Sequence, residues 1–128
     1  MVIKEINKVH NWFYPWTEDL KASLREARNN RSLGELLVYE DSSIRVWSTH
    51  LEPQQSLPFH KHALPYVYIA QSNGSSRSFY GDGKVLETNY KQGDVKCFPD
   101  LTEENSFVHN LENTGKTLLI FTTIEFKQ

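Results

Sequence analysis

The chemistry-bearing feature of this sequence is a pair of histidines, His60 and His62, separated by one residue. On a β-strand, residues i and i+2 point to the same face, so both imidazoles can project into one cavity. Imidazole is a suitable ligand for zinc, iron, copper, nickel and cobalt. By itself the pair is equally compatible with one core histidine beside one surface histidine, so other residues must decide between the two interpretations.

From residue 35 onward the sequence has the pattern of a β-protein. Short runs rich in Val, Ile, Tyr, Phe and Thr are separated by turn residues. Gly81-Asp82-Gly83 is a strong hairpin signal, because glycine tolerates positive φ. The runs predict strands over 36–40, 44–52, 66–71, 77–80, 85–90, 95–98, 106–111 and 117–126. Many short strands with regular turns predict an all-β fold, an antiparallel sandwich or barrel.

Residues 1–16 form an aromatic-rich arm, and a helix is predicted to follow it. Thr17 is typical of a helix N-cap, and two acidic residues follow in the first turn, where the helix dipole favours negative charge. The helical spacing of apolar residues ends near Asn29 and Asn30. We therefore divide a single domain into an arm with one short helix, residues 1–34, and a β-barrel, residues 35–128.

The aromatic segment of the arm, residues 12–16, has two alternative roles. It contains two Trp, one Phe, one Tyr and one Pro, which are costly to leave in water. The segment either packs on the outer sheet of its own barrel together with the helix, or crosses to a partner subunit. We favour the second alternative, which predicts a homodimer.

Composition excludes several classes of function. The net charge of −2 provides no basic face for nucleic acid. No run approaches the length of a membrane span, and the N-terminus lacks the apolar stretch of a signal peptide. Cys97 is the only cysteine, so no intrachain disulfide can form and a reducing compartment is the simplest interpretation. We expect a soluble cytoplasmic protein that acts on a small molecule.

Residues downstream of the histidine pair complete a recognisable pattern. A glycine is followed six residues later by a proline, and a histidine is followed four residues later by an asparagine. Together with the pair, they resemble the two conserved motifs of the cupin superfamily. The matching residues are His60, His62 and Gly74 for the first motif, and Gly93, Pro99, His109 and Asn113 for the second. The resemblance implies an antiparallel double-stranded β-helix, the jelly-roll barrel of small single-domain cupins.

The sequence departs from the family pattern in both motifs. The glutamate of the first motif is missing, and its position falls at Tyr66 or Val67. The second motif has Leu101 in place of its inner glycine and a longer gap before its histidine, so that strict counting from Pro99 would select Glu104. We prefer His109, because an asparagine follows it at the family spacing and a predicted strand carries it.

The resemblance implies that His60, His62 and His109 hold one divalent transition metal: Fe, Mn, Zn, Ni, Co or Cu. Three neutral imidazoles leave a net charge of about +2, which favours an anionic substrate or a bound hydroxide. Tyr66, if it points inward, is a candidate catalytic residue whose hydroxyl can bind water or substrate, the alternative being an aromatic core residue. The candidate pocket residues are Trp47, Phe59, Tyr68, Phe98 and Phe107.

These inferences favour a metalloenzyme with dioxygenase-like or Lewis-acid chemistry on a small substrate. Two alternatives stay open. One is a non-catalytic cupin that binds or senses a small ligand. The other is a metal-independent isomerase in which the histidines act as acid and base.

Overall fold

Two five-stranded antiparallel sheets and one helix make up the part of the chain that the computed structural model describes, residues 1–27 and 29–127. The elements are β1 (Val2–Asn7), α1 (Glu18–Glu26), β2 (Leu36–Glu40), β3 (Ile44–Leu51), β4 (Ser56–His62), β5 (Tyr66–Ala70), β6 (Gly74–Phe79), β7 (Val85–Tyr90), β8 (Val95–Phe98), β9 (Phe107–Asn113) and β10 (Leu119–Phe126). The predicted antiparallel β-architecture with one short helix is confirmed.

The strand order is β1-β7-β6-β9-β4 in the first sheet and β2-β3-β10-β5-β8 in the second. Alternation along the strands decides which side chains enter the interior. In β10, buried residues recur at every second position from Leu119 to Glu125, which is the pattern of a strand with one face on a core. The turns before β7 and β8 use glycine at positive φ, with 99° at Gly83, where the hairpin was predicted, and 92° at Gly93.

The N-terminal arm packs on the barrel of its own chain. Strand β1 pairs antiparallel with β7 and forms the edge of the first sheet. Trp16 is buried, lies 5.1 Å from Trp12 between ring centroids, and donates its indole N–H to the carbonyl of Gly83 at 2.7 Å. Phe13 and Tyr14 remain exposed. Of the two roles considered for the segment, packing on its own barrel therefore holds for both tryptophans.

Helix α1 covers the outer face of the first sheet. Thr17 caps it as predicted, with its side-chain oxygen accepting the backbone N–H of Leu20 at 3.1 Å. The helix ends at Glu26, earlier than the predicted end near Asn29 and Asn30. The side-chain amide of Asn30 donates to the carbonyl of Phe59 at 2.9 Å. This hydrogen bond holds the segment after the helix against β4. No helix within the described residues has the length and apolar character needed to cross a membrane.

The interior of the barrel has an apolar end and a polar end. The apolar end is a cluster of six buried residues: Leu51, Leu57, Ala70, Tyr90, Leu119 and Phe121. The three motif histidines lie toward the other end. Burial of the apolar cluster stabilises the barrel at about 25 cal/mol per Å² of apolar surface removed from water. Because this cluster supplies stability, the rest of the interior can hold polar side chains.

Asn113 joins β9 to the apolar end of the barrel. Its side chain is fully buried. The amide nitrogen donates to the carbonyls of Leu51 and Thr117, both at 2.8 Å, and the amide oxygen accepts the backbone N–H of Gly115 at 2.9 Å. The asparagine of the second motif therefore stabilises the fold by joining β9 to the backbone at Leu51 and to the turn that follows β9.

Replacing Asn113 with alanine is expected to lower the free energy of unfolding by about 2 kcal/mol, because it leaves one buried and two partly buried backbone groups without their hydrogen-bond partner. Urea unfolding followed by circular dichroism measures the change. Asn89→Ala, which truncates an exposed asparagine on β7, is the matched control and should change stability by less than about 0.5 kcal/mol. Equal losses of unfolding free energy in the two variants would contradict this structural role of Asn113.

Candidate metal centre

Strands β4 and β9 bring the three motif histidines together. The strands pair antiparallel with His60 directly opposite His109 and with His62 opposite Phe107. Directly opposed residues share a face of the sheet, as do residues i and i+2 of one strand. All three imidazoles therefore project into the interior, where one ring nitrogen from each lies within 4.8 Å of the others.

An irregularity in β4 turns the histidines inward. Between Leu57 and His60 the strand advances three residues while β9 advances two, from Leu111 to His109. This is the count of a β-bulge, and the bulged stretch contains Pro58, a residue that sheets tolerate at bulges. Leu57 already faces the cavity. With strict alternation Lys61 would also face inward and both histidines outward, so the bulge creates the cluster.

The hydrogen bonds of the cluster fix one tautomer and leave two ring nitrogens unpartnered. His60 donates its Nδ1–H to the carbonyl of Pro58 at 2.7 Å, so its Nε2 is an unprotonated acceptor. The Nε2 atoms of His62 and His109 are 3.0 Å apart. Their Nδ1 atoms are buried and have no hydrogen-bond partner among the described residues. A histidine pair that served only the core would be expected to satisfy these atoms.

Burial keeps the three imidazoles neutral. It lowers the pKa of His60 from its ordinary 6.5 to about 4, against the opposing hydrogen bond to Pro58. Burial, followed by the neighbouring histidines, lowers the pKa of His62 well below its ordinary value. His109 is shifted in the same direction by burial, then by His60 and Lys84. Neutral imidazole is the form that binds a metal.

The histidines fit a divalent transition metal. The 3.0 Å between the Nε2 atoms of His62 and His109 is compatible with both atoms bonding one ion at about 2.1 Å. The carbonyl of Pro58 orients His60 in the way that backbone carbonyls orient metal-bound histidines. Donors that are all imidazole suit the later transition metals better than magnesium or calcium.

Of the two residues at which the missing glutamate would fall, Tyr66 is the one that faces the cavity. Its ring stacks on His62 with 4.2 Å between centroids, and its side chain is buried and lines the cavity. Val67 is the next residue on β5 and does not line the cavity. Burial raises the pKa of Tyr66 well above its ordinary value. The phenol therefore stays protonated and offers a hydroxyl rather than a phenolate ligand.

The cavity over the histidines has a volume of about 80 Å³, larger than the space that one water needs. Two predicted pocket residues, Tyr68 and Phe98, line it. Phe107 stacks on His62 at 4.9 Å and lines a second, outer cavity. Further hydroxyl groups in the inner lining come from Thr49, Ser78, Tyr80, Thr88, Tyr90 and Thr123.

Two predicted pocket residues, Trp47 and Phe59, do not line either cavity. Trp47 lies on the inner face of β3, but its indole is directed at the carboxylate of Glu125, 3.4 Å away. Phe59 belongs to the bulged stretch of β4, which places it on the outer face beneath Trp16 with 6.1 Å between ring centroids. Their prediction as pocket residues is corrected for these reasons.

The loop before β9 does not bring a carboxylate to the histidines. Glu104 is exposed and lines neither cavity. Its neighbour Glu103 pairs with Arg31 and Lys61, each at 2.8 Å. No acidic residue is among those that line the inner cavity in the described part of the chain. Within the described lining, no carboxylate therefore takes the place of the glutamate that the resemblance to the motif implies.

Sequence reasoning missed three residues that line the cavities at the histidine site. Tyr80 lines both cavities and lies 5.0 Å from His109 between ring centroids. Lys96 also lines both, and Lys84 lines the outer one. A signal was present for Lys96, because it lies two residues before the predicted pocket residue Phe98 on one strand. Tyr80 and Lys84 flank a hairpin turn whose location against β9 only the fold reveals.

The buried histidines predict loss of stability in mild acid. Below pH 6.5 an unfolded histidine takes up a proton that folded His60 refuses until about pH 4, so the free energy of unfolding falls as pH falls. Between pH 6.5 and 5 His60 alone should account for about 1.6 kcal/mol. Urea unfolding of chelator-treated protein measures this, and His60→Gln should show a shallower pH dependence. An identical slope in both proteins would contradict the argument.

Comparisons with known proteins identify the architecture. No family model matches the sequence, and no curated protein matches it. A cupin domain from Bordetella pertussis superposes with a TM-score of 0.63 at 19% identity, over 79% of this chain and 98% of that one. An RmlC-like cupin family protein from Methanocaldococcus jannaschii gives 0.55 at 16% identity, over 70% and 75%. A double-stranded β-helix protein from Klebsiella pneumoniae gives 0.53 at 24% identity, over 79% and 84%. The resemblance deduced from the motifs is thus confirmed as a likeness of fold, and the chain has the cupin fold, a double-stranded β-helix.

Proposed function

We propose that this protein holds one divalent transition metal through His60, His62 and His109 and acts as a metalloenzyme on a small anionic molecule. The observation that carries the proposal is the convergence of three neutral imidazoles, two buried and one partly buried, at a cavity that lacks acidic residues among the described lining. A neutral imidazole offers an unprotonated ring nitrogen to a metal, and the three rings present one ring nitrogen each within 4.8 Å of the others.

The chemistry that a metal supplies when bound there is Lewis-acid polarisation of a substrate oxygen or, with a redox-active ion, reaction with dioxygen. The protein itself contributes three effects. The histidines fix the position of the reacting group, the aromatic walls limit water, and the protonated hydroxyl of Tyr66 donates a hydrogen bond to a substrate oxygen or to water. Tyr66 is the residue that we assign to catalysis.

The proposed metal site predicts metal content that depends on the histidines. Protein purified without a polyhistidine tag should carry close to one transition-metal ion per chain in elemental analysis. His62→Ala removes one donor and exposes the others to water, so the content should fall at least tenfold. His50→Ala is the matched control, because His50 is an exposed histidine outside the site.

Wild-type protein with no more metal than His62→Ala would overturn the proposed metal site. Where metal is retained, parallel substrate screens in air and under nitrogen separate the two chemistries. An oxygenase consumes dioxygen with its substrate, whereas Lewis-acid turnover proceeds equally well without dioxygen.

The chain also has features of a homodimer subunit. Strand β2 is an edge strand of the second sheet, and its apolar side chains from Leu36 to Tyr39 are exposed. An edge strand with exposed apolar side chains is a template for pairing with another chain. Since β1 and Trp16 are held by their own barrel, we assign the interface of the proposed homodimer to β2.

The proposed interface predicts that two lysines on β2, Leu36→Lys with Val38→Lys, convert a dimer into a monomer. Multi-angle light scattering should give twice the chain mass for wild type and the single chain mass for the double variant. Leu118→Lys, which charges another exposed apolar residue, is the control and should leave the dimer unchanged. A monomeric wild type, or a double variant that stays dimeric, would refute this assignment.

A further inference from the structure

Two lysines stand at the entrance to the histidine site. Lys96 and Tyr80 line both the inner cavity over the histidines and the outer cavity, so the two spaces adjoin there. Lys96 lies opposite Tyr68 in the pairing of β8 with β5, on the face that looks into the barrel. Lys84 lines the outer cavity.

Each lysine is held over an aromatic ring that leads to a metal-site histidine. The Lys84 ammonium lies 4.6 Å from the centroid of Tyr80, whose ring is 5.0 Å from that of His109. The Lys96 ammonium lies 5.5 Å from the centroid of Phe98. Phe98 in turn stacks on Tyr66 at 4.5 Å, and Tyr66 stacks on His62 at 4.2 Å.

The charges of these lysines are not neutralised by a neighbouring carboxylate. Neither ammonium forms an ion pair within the described part of the chain, whereas Lys61, the third lysine of the outer cavity, pairs with Glu103 at 2.8 Å. Asp82 also lines the outer cavity, and its Oδ1 accepts the backbone N–H of Lys84 at 3.1 Å. A ring face positions an ammonium with about 0.5–1 kcal/mol at an exposed site, and it leaves the charge free to attract an anion.

We infer that Lys96 and Lys84 bind the carboxylate of a small organic acid whose other end reaches the three histidines. This inference rests on the proposed function and names the substrate class for it. The inner cavity of about 80 Å³ sets the size, an acid of a few carbon atoms. Inorganic phosphate is the competing anion, because a lysine ammonium binds carboxylate and phosphate alike.

The test measures binding to the zinc-loaded protein by isothermal titration calorimetry at low ionic strength. The probes are malonate, its neutral analogue malonamide, and inorganic phosphate. Malonate should bind at least tenfold more tightly than malonamide. Lys96→Met keeps most of the side-chain volume without the charge and should weaken malonate at least tenfold, and Lys84→Met should weaken it several-fold. Neither variant should alter the binding of malonamide.

Lys116→Met, at an exposed position outside both cavities, is the matched control and should bind malonate as the wild type does. The inference is overturned if malonate binds wild type and Lys96→Met equally, if it does not bind wild type at all, or if phosphate binds more tightly than malonate. Metal content measured on the same samples separates the two proposals. If malonate binding depends on the lysines in a protein that retains no metal, the carboxylate site is supported and the proposed metalloenzyme is refuted. If the protein retains metal but binds malonate equally well without the lysines, the metal site is supported and the carboxylate site is refuted.

Discussion

The antiparallel pairing of β4 with β9 determines which side chains share the interior of the barrel. Its decisive feature is the extra residue between Leu57 and His60, since a shift of one residue exchanges the two faces of a strand. The bulge lets Leu57 join the apolar end while His60 and His62 enter the polar end, and it sends Lys61 outward to Glu103. Pro58 has two effects on this geometry. It interrupts the hydrogen bonding between β4 and β9, and its carbonyl accepts the hydrogen bond of His60.

How far the sequence predicts this fold depends on how regular each strand is. Strands that are flanked by glycine or proline turns, such as Val85–Tyr90 and Val95–Phe98, have the predicted bounds. Ser56–His62 was missing from the predicted strands although it carries two of the histidines, because Pro58 and the bulge break its alternation. Val2–Asn7 was missing as well, since its role depends on β7, which lies more than 75 residues later in the chain.

The candidate site shows the same division between local and tertiary information. The grouping of His60 with His62 follows from strand periodicity, and His109 was selected through the motif that it shares with Asn113. Phe59 was misplaced because alternation cannot reveal a bulge. Tyr80 could not be selected from the sequence, because what makes it part of the site is a bridge to His109 across the sheet.

The electrostatics of the inner cavity underlie both its cost in stability and the chemistry proposed for it. Tyr66 lines the inner cavity as a protonated phenol, and within the described residues the lining has no carboxylate that would offset the charge of a metal ion. Burial disfavours the cationic form of all three histidines, so the histidines by themselves are neutral and a metal held by them would make the site strongly positive. Lysines placed within the histidine cluster would repel that ion. Lys84 and Lys96 are set back from the histidines by Tyr80 and by Phe98 with Tyr66, where their charge can attract an anion at a smaller cost to metal binding.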